Sequence, residues 1–279
     1  MGSRSAAEQG VSATLEGRQQ HLESILREMK SVAIGFSGGA DSTLLLRVAV
    51  QVLGDDALAL TAVSPSFPDR DRLAAIELAR GMGARHLLVD SHEFDEPGYV
   101  ANAPSRCFFC KKELFDLLKE AAARHGLSTI AYGAITDDLG DFRPGMDAAR
   151  RAGARAPLLE AGFSKNDVRE LSRRLDLPTW DRPASACLSS RIPHGTPIDV
   201  AMLQRVELSE DFLLAHGFRQ VRVRAHGDLA RVECDPSEIH RLMESPLREA
   251  LVARLLELGF RQVTVDLEGY RMGSLNPKR

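Results

Sequence analysis

Apolar and polar positions alternate in a regular rhythm along most of the chain. Between residues 15 and 30, Leu22, Ile25, Leu26 and Met29 recur at helical spacing, which predicts an amphipathic helix packed on the neighbouring elements. The apolar run VAIGF at 32–36 comes next, then the polar SGGADS, then TLLLRVAVQVL with helical periodicity. That order reads as strand, loop and helix. Residues 58–63 and 86–89 are further expected strands with a helix at 69–81 between them. A helix from about 111 to 125 precedes a strand at 129–132, and 168–175 is a helix capped by the segment FSKND. Continuous apolar strands alternating with helices predict α/β architecture: a doubly wound, mostly parallel sheet covered on both faces.

The pattern changes after IPHGTP at 192–197, whose two prolines and glycine suit a linker. A helix at 200–216, strands at 220–225 and 229–235 joined by an HGD hairpin turn, a helix at 237–258 and a strand at 262–267 form an α-β-β-α-β set. This predicts a smaller C-terminal α+β domain. Val221 and Val223 alternate with Arg222 and Arg224, and Ala230, Val232 and Cys234 with Arg231 and Glu233, so the charges share one face. The expected layout is a flexible lead at 1–14, an α/β domain at 15–192 and the small domain at 193–279.

Composition narrows the classes. At 279 residues and 44% hydrophobic, the chain can bury a sizeable core. Lys and Arg number 36 against 39 Asp and Glu, a net charge of −3, which provides no global field for nucleic acid. No apolar stretch approaches the roughly 20 residues of a spanning helix, and the polar start MGSRSAAEQG has no apolar signal region. No nucleic-acid or membrane partner is expected, and a cytoplasmic location is. There, four cysteines point to metal ligation or reactivity rather than disulfides.

The segment Ser37-Gly38-Gly39-Ala40-Asp41-Ser42 lies between an apolar strand and a helix, where backbone N–H groups and the helix dipole favour an anion. Glycines admit phosphate oxygens to the backbone, Ser37 and Ser42 add hydroxyl donors, and Asp41 could hold Mg²⁺ against pyrophosphate. The spacing is neither the G-x-x-x-x-G-K-[ST] pattern nor the dinucleotide G-x-G-x-x-G. An ordinary Gly-rich turn capped by Ser and Asp is the alternative. SGGADS resembles the PP-loop of the ATP pyrophosphatases, which cleave ATP between its α- and β-phosphates. That resemblance implies ATP as cofactor, with the adenine beside Ala62, Val63 and Ser64, and adds Gly133 to the nucleotide site.

Cys107 and Cys110 form C-x-x-C ahead of KKELFDLLKE, where Arg106, Lys111, Lys112 and the helix dipole should favour thiolate. Cys187, in ASACLSSR, is remote in sequence. Together the three can make three ligands of a metal site with an open position, or a redox pair with an unrelated third thiol. Cys234 shares the parity of Val232 and is expected in the core. The eight histidines form no spaced cluster that would argue for zinc.

Arg106-Cys107 with Cys110-Lys111, Thr136-Asp137-Asp138 with Arg143-Pro144-Gly145, Pro183 to Arg191, and Gly269-Tyr270-Arg271 with Gly273-Ser274 together resemble the LarE family over most of the chain. The resemblance implies a homo-oligomeric, ATP-dependent sulfur transferase acting on pyridinium-3,5-dicarboxylate mononucleotide, in synthesis of the nickel-pincer nucleotide used by lactate racemase. In one branch a single cysteine, at the position of Cys187, gives up its sulfur and becomes dehydroalanine. In another, three cysteines hold a 4Fe-4S cluster that carries an extra sulfide; Cys107, Cys110 and Cys187 resemble that second branch, which needs a sulfide source.

Such chemistry has a required order. A carboxylate oxygen is a poor leaving group, so adenylation must precede attack by sulfur. Lys165, in the FSKND turn, could stabilise charge on the phosphates or be a solvated helix-start lysine. Arg106, Ser190, Arg191, Arg222, Arg224 and Arg231, with Glu233 among them, are candidates to receive the substrate's phosphate and carboxylates, since Arg forks match those oxygens. A merely solvated strand face is the alternative for Arg222 to Glu233. Asp137 and Asp138 could bind metal or nucleotide, or start a turn. Tyr132 and Trp180 are expected to be packing residues. Competing functions are an amide-forming PP-loop ligase, a tRNA thiolase and a noncatalytic AMP-sensing module.

Overall fold

The computed structural model describes residues 14–140, 144–183 and 185–271. The lead to residue 13, Arg143, Ala184, Gly273 and Ser274 lie outside them. Along the chain run α1 (Leu15–Met29), β1 (Val32–Gly35), α2 (Ala40–Leu53), β2 (Ala57–Val63), α3 (Asp69–Gly81), β3 (Arg85–Asp90), α4 (Pro97–Val100), α5 (Arg106–Arg124), β4 (Thr129–Tyr132), α6 (Pro144–Ala152), α7 (Pro157–Glu160) and α8 (Lys165–Arg174). They are succeeded by α9 (Val200–Ala215), β5 (Val221–His226), β6 (Leu229–Cys234), α10 (Ile239–Met243), α11 (Leu247–Glu257) and β7 (Gln262–Val265). Of the described residues, one compact unit takes 14–64, 69–93 and 107–183, and a second takes 65–68, 94–106 and 185–271.

The first unit is the expected α/β layer structure. Its four strands run parallel in the order β3-β2-β1-β4, with Val32 level with Ala57 and Thr129, and Gly35 level with Leu60 and Tyr132. The period of two sorts the side chains. Val32, Ile34, Ala57 and Ala59 enter a core with residues of α1, α2, α3 and α8 such as Leu26, Leu45, Ala75 and Val168. Ala33, Leu60 and Ile130 enter a second core with Phe115 and Leu118 of α5 and Ala149 of α6. Ser164 caps α8 in a reciprocal capping box with Asp167, as FSKND implies. Helix α5 begins at Arg106, not near 111, because Phe108 extends the apolar face that Phe115 and Leu118 continue. Helix α6 has no counterpart in the apolar pattern; over 145–152 its buried positions are Ala148 and Ala149, too small to register as periodicity.

In the second unit β5 and β6 pair antiparallel through the Gly227-Asp228 turn, and β7 joins β6 in parallel. The expected helix over 237–258 is instead a 3-10 turn, α10 and α11. Pro246 has no N–H to continue a helix and disfavours helical backbone at Ser245. The unit begins at Ser185 and draws in 94–106, earlier than the linker at 192–197. Asn102 explains this: fully buried, its amide donates to the carbonyls of Ile192 (3.3 Å), Pro193 (2.9 Å) and Thr196 (2.9 Å). Its φ of 54° is one that asparagine tolerates better than most residues.

The charged face of β5 and β6 is not exterior. Arg222, Arg224 and Glu233 are buried, because Glu233 takes two guanidinium bonds from Arg224 (3.1 and 2.9 Å) and one from Arg231 (2.9 Å). Arg191 and Glu210, each 1% exposed, form a second two-bond pair at 2.8 and 2.9 Å. Removing one partner of such a pair leaves an uncompensated buried charge, whereas replacing both with apolar groups need not. Glu210→Leu is therefore expected to destabilise the protein by about 3–5 kcal/mol in urea unfolding, and the Arg191→Met/Glu210→Leu double variant by clearly less than the sum of the two single losses. Additive losses would show that the ion pair is not the governing interaction.

Candidate functional site

Within the first unit the phosphate-type loop comes directly after β1. Gly38 has φ 68°, and a Cβ there would lie 3.3 Å from the Cα of Ala75 on α3, so this turn requires glycine. Ser37 N–H donates to Ser42 Oγ (3.3 Å), and Ser42 Oγ–H donates to Gly39 O (3.2 Å), folding the loop back onto the start of α2. Gly39 is the N-cap of this 14-residue helix and supplies no side-chain bond, so the helix presents its first N–H groups uncapped. Across the loop, the chain leaves β4 through Gly133. A Cβ at Gly133 would lie 3.0 Å from Ser42 N and 3.1 Å from the carbonyl carbon of Asp41, so this segment can reach the helix start only as glycine. The crevice thus opens at the carboxyl ends of β1 and β4, where chain connections leave the sheet in opposite directions.

Lys165, the first residue of α8, donates through Nζ to both oxygens of Asp41, at 2.8 and 3.0 Å. It is therefore paired rather than merely solvated, with both side chains about a quarter exposed. Asp137 accepts the Lys165 N–H (3.0 Å) and Asp138 accepts that of Ile135 (3.0 Å), so both carboxylates bond backbone amides beyond the end of β4. Two residues that carry no motif, Arg182 and Asp71, also reach the loop: Arg182 donates to Gly38 O (3.0 Å) and to Asp71 Oδ1 (2.7 Å).

At the end of β2, Val63 O accepts Ser91 N–H (2.7 Å), and Ser64 Oγ–H donates to the buried Glu93 (2.6 Å). Two residues earlier in the strand, Thr61 gives its single proton to Phe36 O (2.7 Å) and so accepts from His86 Nε2 (2.8 Å), fixing that nitrogen as the protonated one. Burial holds the His86 pKa below its ordinary value. Tyr132 packs edge-on against Phe115, whereas Trp180 is 42% exposed and does not fill a core.

Cys107 and Cys110 lie inside the opening of α5 rather than ahead of it, three residues apart and so on one helix face. Cys107 is exposed and Cys110 half-buried. Gly145 of α6 lies alongside: a Cβ there would meet Lys111 at 2.8 Å and the Cys107 carbonyl at 3.7 Å. Arg106, the residue before Cys107, is buried and donates to Asn102 Oδ1 (2.5 Å) and to Ser189 O (2.8 Å).

Cys187 belongs to the second unit, where it precedes the 3-10 turn Leu188–Arg191. Arg191 holds this turn from beneath: beyond its bonds to Glu210, Nη1 donates to Ala186 O (2.6 Å), Cys187 O (3.0 Å) and Ser190 Oγ (2.9 Å). Tyr99 bonds Ser189 Oγ at 2.7 Å, and Arg224 donates to Ser190 O (2.9 Å). Arg222 lies over the Tyr270 ring, 5.1 Å from its centroid. Burial, and after it the neighbouring Arg191, lower the Arg222 pKa; Glu210 and Tyr270 oppose this, and Arg224 lowers it further. Gly269 (φ 70°) permits that stacking, since a Cβ would meet Cys234 O at 2.8 Å. Cys234 is a core residue, its thiol pushed up to about 11, chiefly by burial. Among the described residues, no three His, Cys, Asp or Glu side chains are arranged to hold a metal ion.

The family model for NAD synthase matches residues 15–98, the segment containing β1, the loop and α2. An uncharacterised protein of Synechocystis sp. is 44% identical over 262 residues, 94% of this chain and 98% of that protein. The pyridinium-3,5-bisthiocarboxylic acid mononucleotide synthase of Lactiplantibacillus plantarum is 37% identical over 265 residues, 95% of each chain. The chain belongs to the LarE family. Like other LarE proteins it is an ATP-dependent PP-loop enzyme of the sulfur-transferase type. An argininosuccinate synthase of Methanococcoides burtonii is 23% identical over 265 residues, 88% of this chain and 59% of that protein. No helix among the described residues is long and apolar enough to cross a membrane.

Two measurements check this geometry. Gly133→Ala should raise the KM for ATP about tenfold, a loss of about 1.4 kcal/mol, because backbone rather than a movable side chain meets the new methyl; an unchanged KM in steady-state assays would contradict the close approach. His86, with its pKa depressed in the folded state, binds fewer protons folded than unfolded. Its contribution is full above the ordinary histidine value of about 6.5 and is lost as pH falls towards the folded value. Urea unfolding from pH 7.5 to 5 should therefore show a steeper loss of stability in wild type than in His86→Gln.

Proposed function

We propose that this LarE protein adenylates the carboxylates of pyridinium-3,5-dicarboxylate mononucleotide and replaces the activated oxygen with sulfur. The observation that carries this is the uncapped start of α2, with Gly38 and Gly133 clearing the backbone around it and Lys165 paired to Asp41. That arrangement suits a polyphosphate whose pyrophosphate leaves as charge develops, with Mg²⁺ held through Asp41. Ser37, Gly38, Gly39 and Ser42 would bind the phosphates, and Val63 and Gly133 would border the nucleoside. Substrate recognition falls to the cationic residues around Cys187. Arg191, Arg222, Arg224 and Arg231 gather there with Glu210, Glu233 and Asp266, and their guanidinium forks match the oxygens of a phosphate and carboxylates. Arg106 and Arg191 serve this site by holding the turn after Cys187, and Ser190 contributes a hydroxyl there.

Sulfur comes from the thiols. Cys107 and Cys110, on one helix face, and Cys187 would supply the thiolates for a 4Fe-4S cluster, which would carry sulfide from a sulfide source for transfer. In a second reading the sulfur is that of Cys187 itself. There the Cys187 thiolate attacks the acyl adenylate and AMP leaves. A base then removes the Cys187 α-proton, the Cβ–S bond breaks, and thiocarboxylate and dehydroalanine form. A homo-oligomer in the cytoplasm is the expected setting.

The test is a single reaction with purified protein, ATP, Mg²⁺ and the dicarboxylate mononucleotide. Pyrophosphate release should depend on the acid and fall roughly 100-fold in Lys165→Ala. Release without the acid would count against acid activation, and turnover that requires ammonia would point to an amide-forming ligase instead. Iron content after anaerobic reconstitution, read with the mass of Cys187 after turnover, separates the two sulfur sources. Iron that Cys107→Ala abolishes supports the cluster, and loss of the mass of H₂S from Cys187 supports donation by that residue.

A further inference from the structure

The Gly-rich loop is held from outside as well as from within. Arg182 lies beyond α8, far in sequence from the loop, yet its Nη1 donates to the Gly38 carbonyl at 3.0 Å while its Nη2 is anchored on Asp71 Oδ1 at 2.7 Å. Asp71 is buried, its side chain 8% exposed, and sits in the first turn of α3, one helical turn before the Ala75 that packs against Gly38. One helix therefore meets the loop twice: by direct contact at Ala75, and through the guanidinium at Asp71.

The geometry of a trans peptide gives that bond a consequence. The carbonyl of residue 38 and the N–H of residue 39 belong to one plane and point in opposite directions. With the Gly38 oxygen turned towards Arg182, the Gly39 N–H must point to the other side, and it faces Ser37 Oγ at 3.4 Å, the long limit of a hydrogen bond. It is thus loosely held and available to a stronger acceptor. Rotating this one peptide by half a turn would present a carbonyl oxygen to an incoming phosphate in place of a donor. Glycine at both 38 and 39 makes such a rotation sterically easy, since neither has a Cβ to oppose it. The loop sequence that admits a phosphate is for the same reason unable to keep its own peptide facing the right way.

We infer that Arg182 is a positioning residue for the phosphate loop: by fixing the Gly38 carbonyl, with Asp71 as its anchor, it keeps the Gly39 N–H directed at the β- and γ-phosphates of ATP. The inference rests on the nucleotide reading above and deepens it. It does not depend on the source of sulfur or the identity of the acid, because it concerns binding before any transfer. In this role Arg182 acts through the backbone and need not touch the reacting atoms.

Calorimetric titration with inorganic pyrophosphate, ATP and AMP, in Mg²⁺ and without the acid substrate, distinguishes this from a general structural role. AMP carries neither of the phosphates the Gly39 N–H would meet. Arg182→Ala is expected to weaken pyrophosphate and ATP about tenfold and leave AMP within twofold of wild type. Arg182→Lys, which keeps one donor for the Gly38 carbonyl, should recover most of the loss. Asp71→Asn leaves the arginine in place without its ionic anchor and should show a smaller loss with the same selectivity; it also serves if Arg182→Ala does not fold. Equal weakening of all three ligands, or unchanged pyrophosphate affinity in a folded variant, would overturn the inference. Wild-type protein that binds no pyrophosphate would overturn the nucleotide reading and this inference with it.

Discussion

The nucleotide end of the molecule depends on one steric constraint: the chain leaving β4 must approach the start of α2 so closely that residue 133 has no room for a methyl group. Parallel pairing sets this up, because Gly35 and Tyr132 stand level across β1 and β4, so both chains leave the sheet at the same height. From that height one chain turns through Ser37, Gly38 and Gly39 into α2, and the other runs on through Ile135 and Asp138 towards α8. Lys165 and Asp41 meet as a result. The ion pair is a by-product of strand register, and any slip by one residue would reverse the faces of β1 and separate them.

The second unit works on a different principle. Its small sheet is lined on one side not by hydrocarbon but by arginines and glutamates, which are costly to bury singly and tolerable in mutually bonded sets. Glu233 serves two arginines, and Glu210 serves Arg191 while accepting the Val223 N–H at 3.1 Å from the edge of β5. The set is bonded internally, and at Arg222 burial, with Arg191 beside it, holds the guanidinium pKa below its ordinary value. A surface of free arginines would attract anions with less geometric selectivity than this braced set.

Much of the first unit is legible in the sequence because its signals are local. Val32, Ile34 and Ala33 divide between two cores as a doubly covered strand must, and SGGADS declares its turn through Gly38, whose positive φ few other residues adopt easily. The helix starting at Arg106 is harder to read: Phe108 in its opening turn packs against the core that Phe115 and Leu118 form with strand residues such as Leu60, and periodicity over the later residues does not announce that packing. The alternating charges of β5 and β6 mislead as a guide to exposure, since alternation reports which residues share a face, not whether the face is covered. Arg182 and Asn102 leave no motif at all. Each acts on a carbonyl of a distant segment, and backbone acceptors have no residue identity to detect.

Arg106 has a consequence for how the thiol chemistry can vary. Its guanidinium is gripped by Asn102 and by the carbonyl of Ser189, neither of which involves sulfur. The opening of α5 is thus moored before the first cysteine is reached, and Cys107 is exposed with no core to fill. Exchanging a thiol there for another small side chain would leave the scaffold indifferent. The presence of this thiol and the fastening of the frame that carries it are therefore separable properties of the chain.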